Sequence, residues 1–222
     1  MVQDKAGGAK KRLTATRSNG DETRARIINA AEALFGARGF ASVSLRDITT
    51  KADVTLALAS YHFGTKDNLF EAVVERRAHV LGLERRRRLG ELSQPDARAI
   101  LDAFMAPLFE FALSGEPGWP DYFRLLARLG EDNQWIDLLS KHFDETAQQF
   151  IDALCKALPN ATRHDVIRTF TMVLHAMLST VSQHSRVDKL AEGKLRGADL
   201  KGAYPVLLQF ATTGMESFNR GK

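Results

Sequence analysis

Apolar residues recur at three- and four-residue spacing along nearly the whole chain, and stretches in which β-branched residues alternate with polar ones are almost absent. A segment with that period buries one face by coiling into a helix, so the spacing predicts an all-α chain in which no segment needs to be a strand. The chain has 222 residues, 44% hydrophobic and 26% charged, enough for one large core or two small ones and too apolar for a disordered or fibrous protein. No apolar run approaches the roughly 20 residues that cross a bilayer, so no membrane association is expected. The lysines and arginines near the start, Lys10, Lys11, Arg12 and Arg17, are not followed by the apolar stretch of a secretory signal. The single Cys155 forms neither an internal disulfide nor a cysteine metal cage. A cytoplasmic protein is expected.

The net charge of +4 is unevenly placed. Residues 1–92 hold 17 Lys and Arg against 11 Asp and Glu, and residues 93–222 hold 14 against 16. The basic end is the natural place for a nucleic-acid-binding module, although many solvated proteins share such a balance. The expected organisation is a disordered basic arm (residues 1–20), a helix-turn-helix domain (21–66), a connecting helix (67–92) and a larger helical domain (93–222). About nine helices are expected. The first follows Asp21 and Glu22 and ends before Gly39. Ser44, with Asp47 three residues on, marks the start of a second; Thr55 caps a third, and Thr65 caps a long fourth beyond Gly64. The run Arg85-Arg86-Arg87-Arg88 reads as a solvated helix end whose charge complements the C-terminal dipole. After Ser93-Gln94-Pro95, helical patterns cover residues 96–113, 122–129, 134–158, 162–185 and 203–218, separated by turn-rich segments.

Three short helices with two tight connections, opening a basic region, fit a helix-turn-helix. Residues 44–52 form the supporting helix, Asp53-Val54 the turn, and residues 56–62 the recognition helix. The ordered series Ile27-Ile28, Ala30-Ala31, Leu34-Phe35, Gly39-Phe40, Ser44-Leu45, Ile48, Ala52-Asp53-Val54-Thr55 and Tyr61-His62-Phe63-Gly64-Thr65-Lys66 resembles the TetR family of bacterial transcriptional regulators. The resemblance is specific over residues 23–75. It departs at Asp53, where the family usually has glycine, and at Thr49-Thr50, where small apolar residues are commoner. Asp tolerates the left-handed backbone better than most residues, so the turn is expected to survive.

The resemblance implies a double-stranded DNA partner and a set of contacting residues. Ser44, Thr55 and Thr65 are helix caps whose helix starts also point amide groups at phosphates. Lys66, at the head of the fourth helix, is either a solvated lysine or a phosphate contact, and the resemblance favours the contact. Tyr61 and His62 are either packing residues at a helix end or phosphate donors. Arg46 stands where family members reach a base, and its guanidinium can bind guanine bidentately or simply contact phosphate or solvent. Leu56, Ala57, Leu58 and Ser60 offer thymine-methyl contacts and one hydroxyl, so specificity is expected to lean on Arg46 and on DNA shape. Ile27, Leu34, Phe35, Ile48, Val54 and Phe63 hold the frame. Lys5, Lys10, Lys11, Arg12 and Arg17 form an arm that adds salt-dependent affinity.

The second domain is rich in large apolar side chains, and by resemblance it encloses a cavity for a small apolar or aromatic effector, a fatty acid or acyl thioester among them. Phe104, Leu108, Phe111, Phe123, Leu126, Trp135, Phe143 and Met172 are the expected lining, although core filling is the commoner role for any one of them, with Arg128, His142 and His175 as orienting polar groups that are also readable as surface or satisfied interior residues. The last two helices are apolar on more than one face. The resemblance implies that Phe170, Val173, Leu174, Met177, Val181, Val206, Leu207 and Phe210 form a homodimer interface, a two-fold bundle that implies a palindromic operator. The fourth helix joins both domains, so an effector that favours another tilt of it would release the DNA. An alternative reading is a dimeric DNA-binding regulator with no effector. An enzyme is not expected: there is no phosphate-binding loop, dinucleotide fingerprint, zinc-protease motif or nucleophile elbow. His62, His79, His142, His164, His175 and His184 lack metal-ligand spacing, so neither cofactor nor metal is expected.

Overall fold

The computed structural model describes residues 6–183 and 185–219, with side chains from residue 19. Lys5 and His184 lie outside the described residues, as do the side chains of Lys10, Lys11, Arg12 and Arg17. Among the described residues there are ten α-helices, two short 3-10 turns and no strand, the all-α architecture that the periodicity predicts. No described helix is long and apolar enough to cross a membrane. The chain divides into two compact units, Met1–Val73 and Val74–Lys222.

The first unit holds α1 (Ala6–Arg38), α2 (Leu45–Ala52), α3 (Leu56–Phe63) and the start of α4 (Lys66–Glu91). Helix α1 begins some fifteen residues earlier than the expected start at Asp21, about where the basic arm was expected. The segment contains alanine, lysine, arginine and leucine, good helix formers, and no proline, so the helix extends back despite Gly7, Gly8 and Gly20. It ends where expected, with Gly39 at φ 78° and its N–H bonded to Phe35 O at 2.8 Å. Ile27, Ile28, Ala31 and Phe35 of α1 are buried with Val43, Ile48, Ala59, Phe63, Leu69 and Phe70. The rings of Phe35 and Phe70 meet edge to face at 4.9 Å, and Phe40 packs on Phe70 at 4.7 Å.

The second unit contains the rest of α4, α5 (Ala97–Leu113), α6 (Trp119–Leu129), α7 (Ile136–Ala157), α8 (Arg163–Val181), α9 (Arg186–Leu190) and α10 (Leu200–Glu216). Helix α10 packs on α5 and α8, and α8 also carries α6 and α7. The sequence reading differs from the structure at several helix ends and misses one helix. Helix α6 starts at Trp119 because Pro120 falls in its first turn, where a missing N–H costs nothing. Helix α10 starts at Leu200 because the Asp199 carboxylate accepts from Gly202 N at 3.0 Å. The short α9 occupies a segment expected to be irregular.

The arginine run corrects the sequence reading most sharply. Only Arg87 is exposed, Arg85 is enclosed, Arg86 and Arg88 are partly buried, and all four are engaged. Arg85 is 4% exposed, and its Nε donates to Phe104 O at 2.8 Å. Arg86 donates to Thr146 Oγ1 of α7 at 2.6 Å. Arg87 bonds Glu84 at 2.7 Å and Glu91 at 2.6 Å, while Arg88 bonds Glu84 at 2.7 Å and Glu110 of α5. The inward stripe Val74, Ala78 and Leu81 has helical spacing and simply continues to Arg85.

Candidate functional site

The helix-turn-helix is assembled from short-range caps. Ser44 Oγ accepts from Asp47 N at 3.1 Å, and the Asp47 carboxylate accepts from Ser44 N at 2.8 Å, a complete capping box that starts α2. The bonds from the Ser44 hydroxyl and amide hold the Asp47 carboxyl below its ordinary pKa. Thr49 is buried, and its hydroxyl donates to Arg46 O at 3.1 Å, so this polar residue in an apolar position is satisfied within its own helix. Arg46 is exposed on the same helix.

Helix α2 closes on Asp53, left-handed at φ 51° and ψ 55°. Sequence reasoning missed what secures this turn. One Arg26 Nη donates to Ala52 O at 2.6 Å and to Asp53 O at 2.7 Å, and lies 3.4 Å from the Asp53 carboxylate. Twenty-six residues separate Arg26 from Ala52, so no local pattern could have announced the pairing.

Helix α3 begins at Thr55, whose Oγ1 accepts from Leu58 N at 3.3 Å. Its inward residues are Ala59 and Phe63. Leu56, Ala57, Leu58, Ser60 and Tyr61 are exposed, Tyr61 at 83%, and His62 is half-buried. Two leucines and a tyrosine are thus turned outward on a helix of eight residues, a costly arrangement for a surface with nothing to meet.

Gly64 ends α3 at φ 71° and ψ −69°, with Thr65 N bonded to Phe63 O at 2.8 Å. This is a γ-turn of the strained hand, which glycine adopts most readily. Thr65 Oγ1 then accepts from Asn68 N at 3.1 Å and starts α4. Lys66 is half-buried, and its Nζ donates to Phe40 O at 3.1 Å and Val43 O at 3.0 Å while sitting 4.0 Å from the Phe40 ring centre. An ammonium has three donors, so one remains for any other acceptor. The first duty of Lys66 is to tie α4 to the α1–α2 connection.

In the second unit Phe104, Leu108, Phe123 and Leu126 are buried, and Phe111, Trp135, His142 and Phe143 are partly so. The rings pack on one another: Phe104 meets Phe150 at 5.0 Å and Phe170 at 4.7 Å, and Phe111 stacks on Trp119 at 4.3 Å. Met172, Arg128 and His175 correct the expected lining. Met172 is 67% exposed, Arg128 is exposed, and exposed His175 bonds Thr171 O of its own helix at 2.8 Å through Nδ1. None of the three faces the interior of the unit. The expected dimer face needs the converse correction, because Phe170, Val173, Met177 and Val181 are buried within the chain. Helix α8 is apolar on two sides, and its sequence does not say which one the rest of the fold covers. Leu174 and Leu207 are half-buried, while Val206 and Phe210 are exposed at 70% and 68%. The exposed pair lines an apolar groove with Val187, Leu190, Leu195 and Leu207.

A helix-turn-helix followed by a helical unit defines a class of regulator, and the comparisons place the chain within it. Residues 27–73 match the model described as bacterial regulatory proteins, tetR family, and residues 102–214 match the tetracyclin repressor-like C-terminal domain. The chain belongs to the TetR family, a family of regulators and not of enzymes. It is 46% identical over 55 residues to the transcriptional repressor Rv3405c of Mycobacterium tuberculosis, a match covering 25% of this chain and 29% of that protein. The chain therefore matches less than a third of that relative's length. The fold is similar to SCO4454, a TetR-family regulator from Streptomyces coelicolor, with TM-score 0.59 at 19% identity over 90% of this chain and 97% of that one. It is equally similar to a transcriptional regulator from Saccharomonospora viridis in complex with choline, with TM-score 0.59 and 19% identity over 86% and 95% of the two chains.

Proposed function

We propose that the protein is a dimeric, DNA-binding transcriptional regulator: a repressor that holds a palindromic operator and is released by a small apolar or aromatic effector. The observation that carries the DNA-binding reading is the outward face of α3, on which Leu56, Ala57, Leu58, Ser60 and Tyr61 stand free while Ala59 and Phe63 anchor the helix from behind. Thymine methyls suit the leucines, and the tyrosine hydroxyl suits a phosphate. Arg46 on α2 supplies the group able to read guanine, and the helix starts at Ser44, Thr55 and Thr65 offer amide groups to phosphates. Lys66 contributes its remaining donor. The exposed groove of Val206, Phe210, Leu190 and Leu195 supports a two-fold pairing, which would set two recognition helices about 34–36 Å apart on one face of the duplex.

Selection from a random duplex pool, followed by fluorescence anisotropy of the full chain, tests the reading. A palindromic site is expected, with affinity falling steeply as salt rises. Arg46→Ala should relax preference at one base position, whereas Tyr61→Phe should weaken all sequences alike. Indifference to duplex DNA at low ionic strength overturns the proposal.

A further inference from the structure

Arg85 of α4 is a buried cation without an anion. Its Nε bonds Phe104 O at 2.8 Å, one Nη lies 3.9 Å from the Met177 thioether, and its guanidinium carbon sits 3.8 Å from the centre of the Phe104 ring. Among the described residues no carboxylate pairs with it, in contrast to Arg87 and Arg88 immediately after it, which share Glu84, Glu91 and Glu110. A thioether is a weak acceptor, so a guanidinium with five donors has one strong bond here and one poor one. Burial pushes the Arg85 pKa down to about 9, which leaves the group charged at neutral pH.

The bond to Phe104 O accounts for one of the five donors. It gives no reason for a full positive charge. The Phe104 ring face compensates the charge only in part, and a buried charge without a counter-ion is among the costliest groups a core can carry.

We propose that Arg85 is the anchor for the acidic head group of the effector, which is a small apolar monocarboxylate. The proposal rests on the regulator reading above and specifies its ligand. The carboxylate takes the place of the Met177 sulfur at the guanidinium fork, where two parallel N–H···O bonds replace one weak contact. Met177 is unbranched and flexible, so its sulfur is the group in this enclosed core that can yield to a carboxylate. The rings of Phe104, Phe150 and Phe170 offer the apolar surroundings. Arg85 stands on the helix that also begins with Lys66, so the ligand acts on an element common to both units.

The test compares acids with their uncharged counterparts on the full chain: octanoate and phenylacetate against octanamide and phenylacetamide, read by calorimetry and thermal shift. At least one acid is expected to bind saturably and about tenfold or more tighter than its amide, because a site built to pair a charge rejects the analogue that lacks it. Arg85→Gln keeps a donor nitrogen at the position of Nε, so the bond to Phe104 O persists while the charge is gone. In this variant the preference for acid over amide should disappear, with the helical circular dichroism retained. Acids that bind no tighter than amides in the parent chain, including no binding by either, overturn the proposal, and that comparison needs no variant. An acid preference that survives in Arg85→Gln also overturns it. Operator binding measured on the same samples separates the two readings, since loss of the ligand effect with intact DNA binding refutes only the carboxylate anchor.

Discussion

Asp53 occupies a backbone conformation that a β-branched side chain cannot share without strain, and Arg26 holds the two carbonyls on either side of the bend. Asp53→Val should lower stability by about 1–2 kcal/mol in urea unfolding, from the left-handed backbone alone. Ser44→Ala removes the cap of α2 and should cost about 1 kcal/mol in the same measurement. The capping box also makes α2 sensitive to acid. Asp47 has a lowered pKa in the folded chain, so its contribution is complete above its ordinary value of 3.8 and fades as pH falls through the lowered one. Ser44→Ala should flatten stability over that acid window. Ser44, Thr55 and Thr65 were legible as caps because a cap acts within one helical turn. Arg26 was not legible, because its partners are brought to it by the packing of α1 against α2 and α3.

Helix α8 shows how an element can be recognised and still be misoriented. Val166, Phe170, Val173, Met177 and Val181 follow a helical stripe and are buried, while Met172 stands on the opposite side. Apolar residues also fall outside that stripe, at Ile167, Met172, Leu174 and Leu178, so the period was evident and its phase was not. Val173→Asp places an unpaired carboxylate in the core and should destabilise the chain by about 3 kcal/mol or more, whereas Met172→Asp should change stability by no more than about 0.5 kcal/mol. Chemical denaturation of the two variants decides between the faces. The last turns of α4 carry a second consequence at this scale. Hydrogen bonds from Arg87 and then Arg88 hold Glu84 down to about pH 2 from 4.5, so its support for the helix end is whole above pH 4.5 and is lost as pH falls through about 2. Glu84→Gln should therefore show a shallower decline of melting temperature between pH 5 and 2.

For the whole molecule, the proposed assembly depends on the apolar groove beside α10, where Val206 and Phe210 remain exposed in the single chain. Phe210→Glu should yield a folded monomer in sedimentation velocity and weaken binding to a palindromic duplex by at least tenfold, since two half-sites held together bind far better than one. A variant that stays dimeric would move the interface elsewhere on the surface. The sequence alone determined that the chain is helical, where α2, α3 and α4 are capped and which segment forms the turn between α2 and α3. These follow from interactions within a turn or two of helix, which are encoded by neighbouring residues. Only the tertiary structure decided which side of α8 lies inward, that Arg26 grips the turn and that Arg85 is enclosed without a counter-ion. Such outcomes depend on which distant segment comes to lie against a residue, and a helical period carries no information about what will cover it.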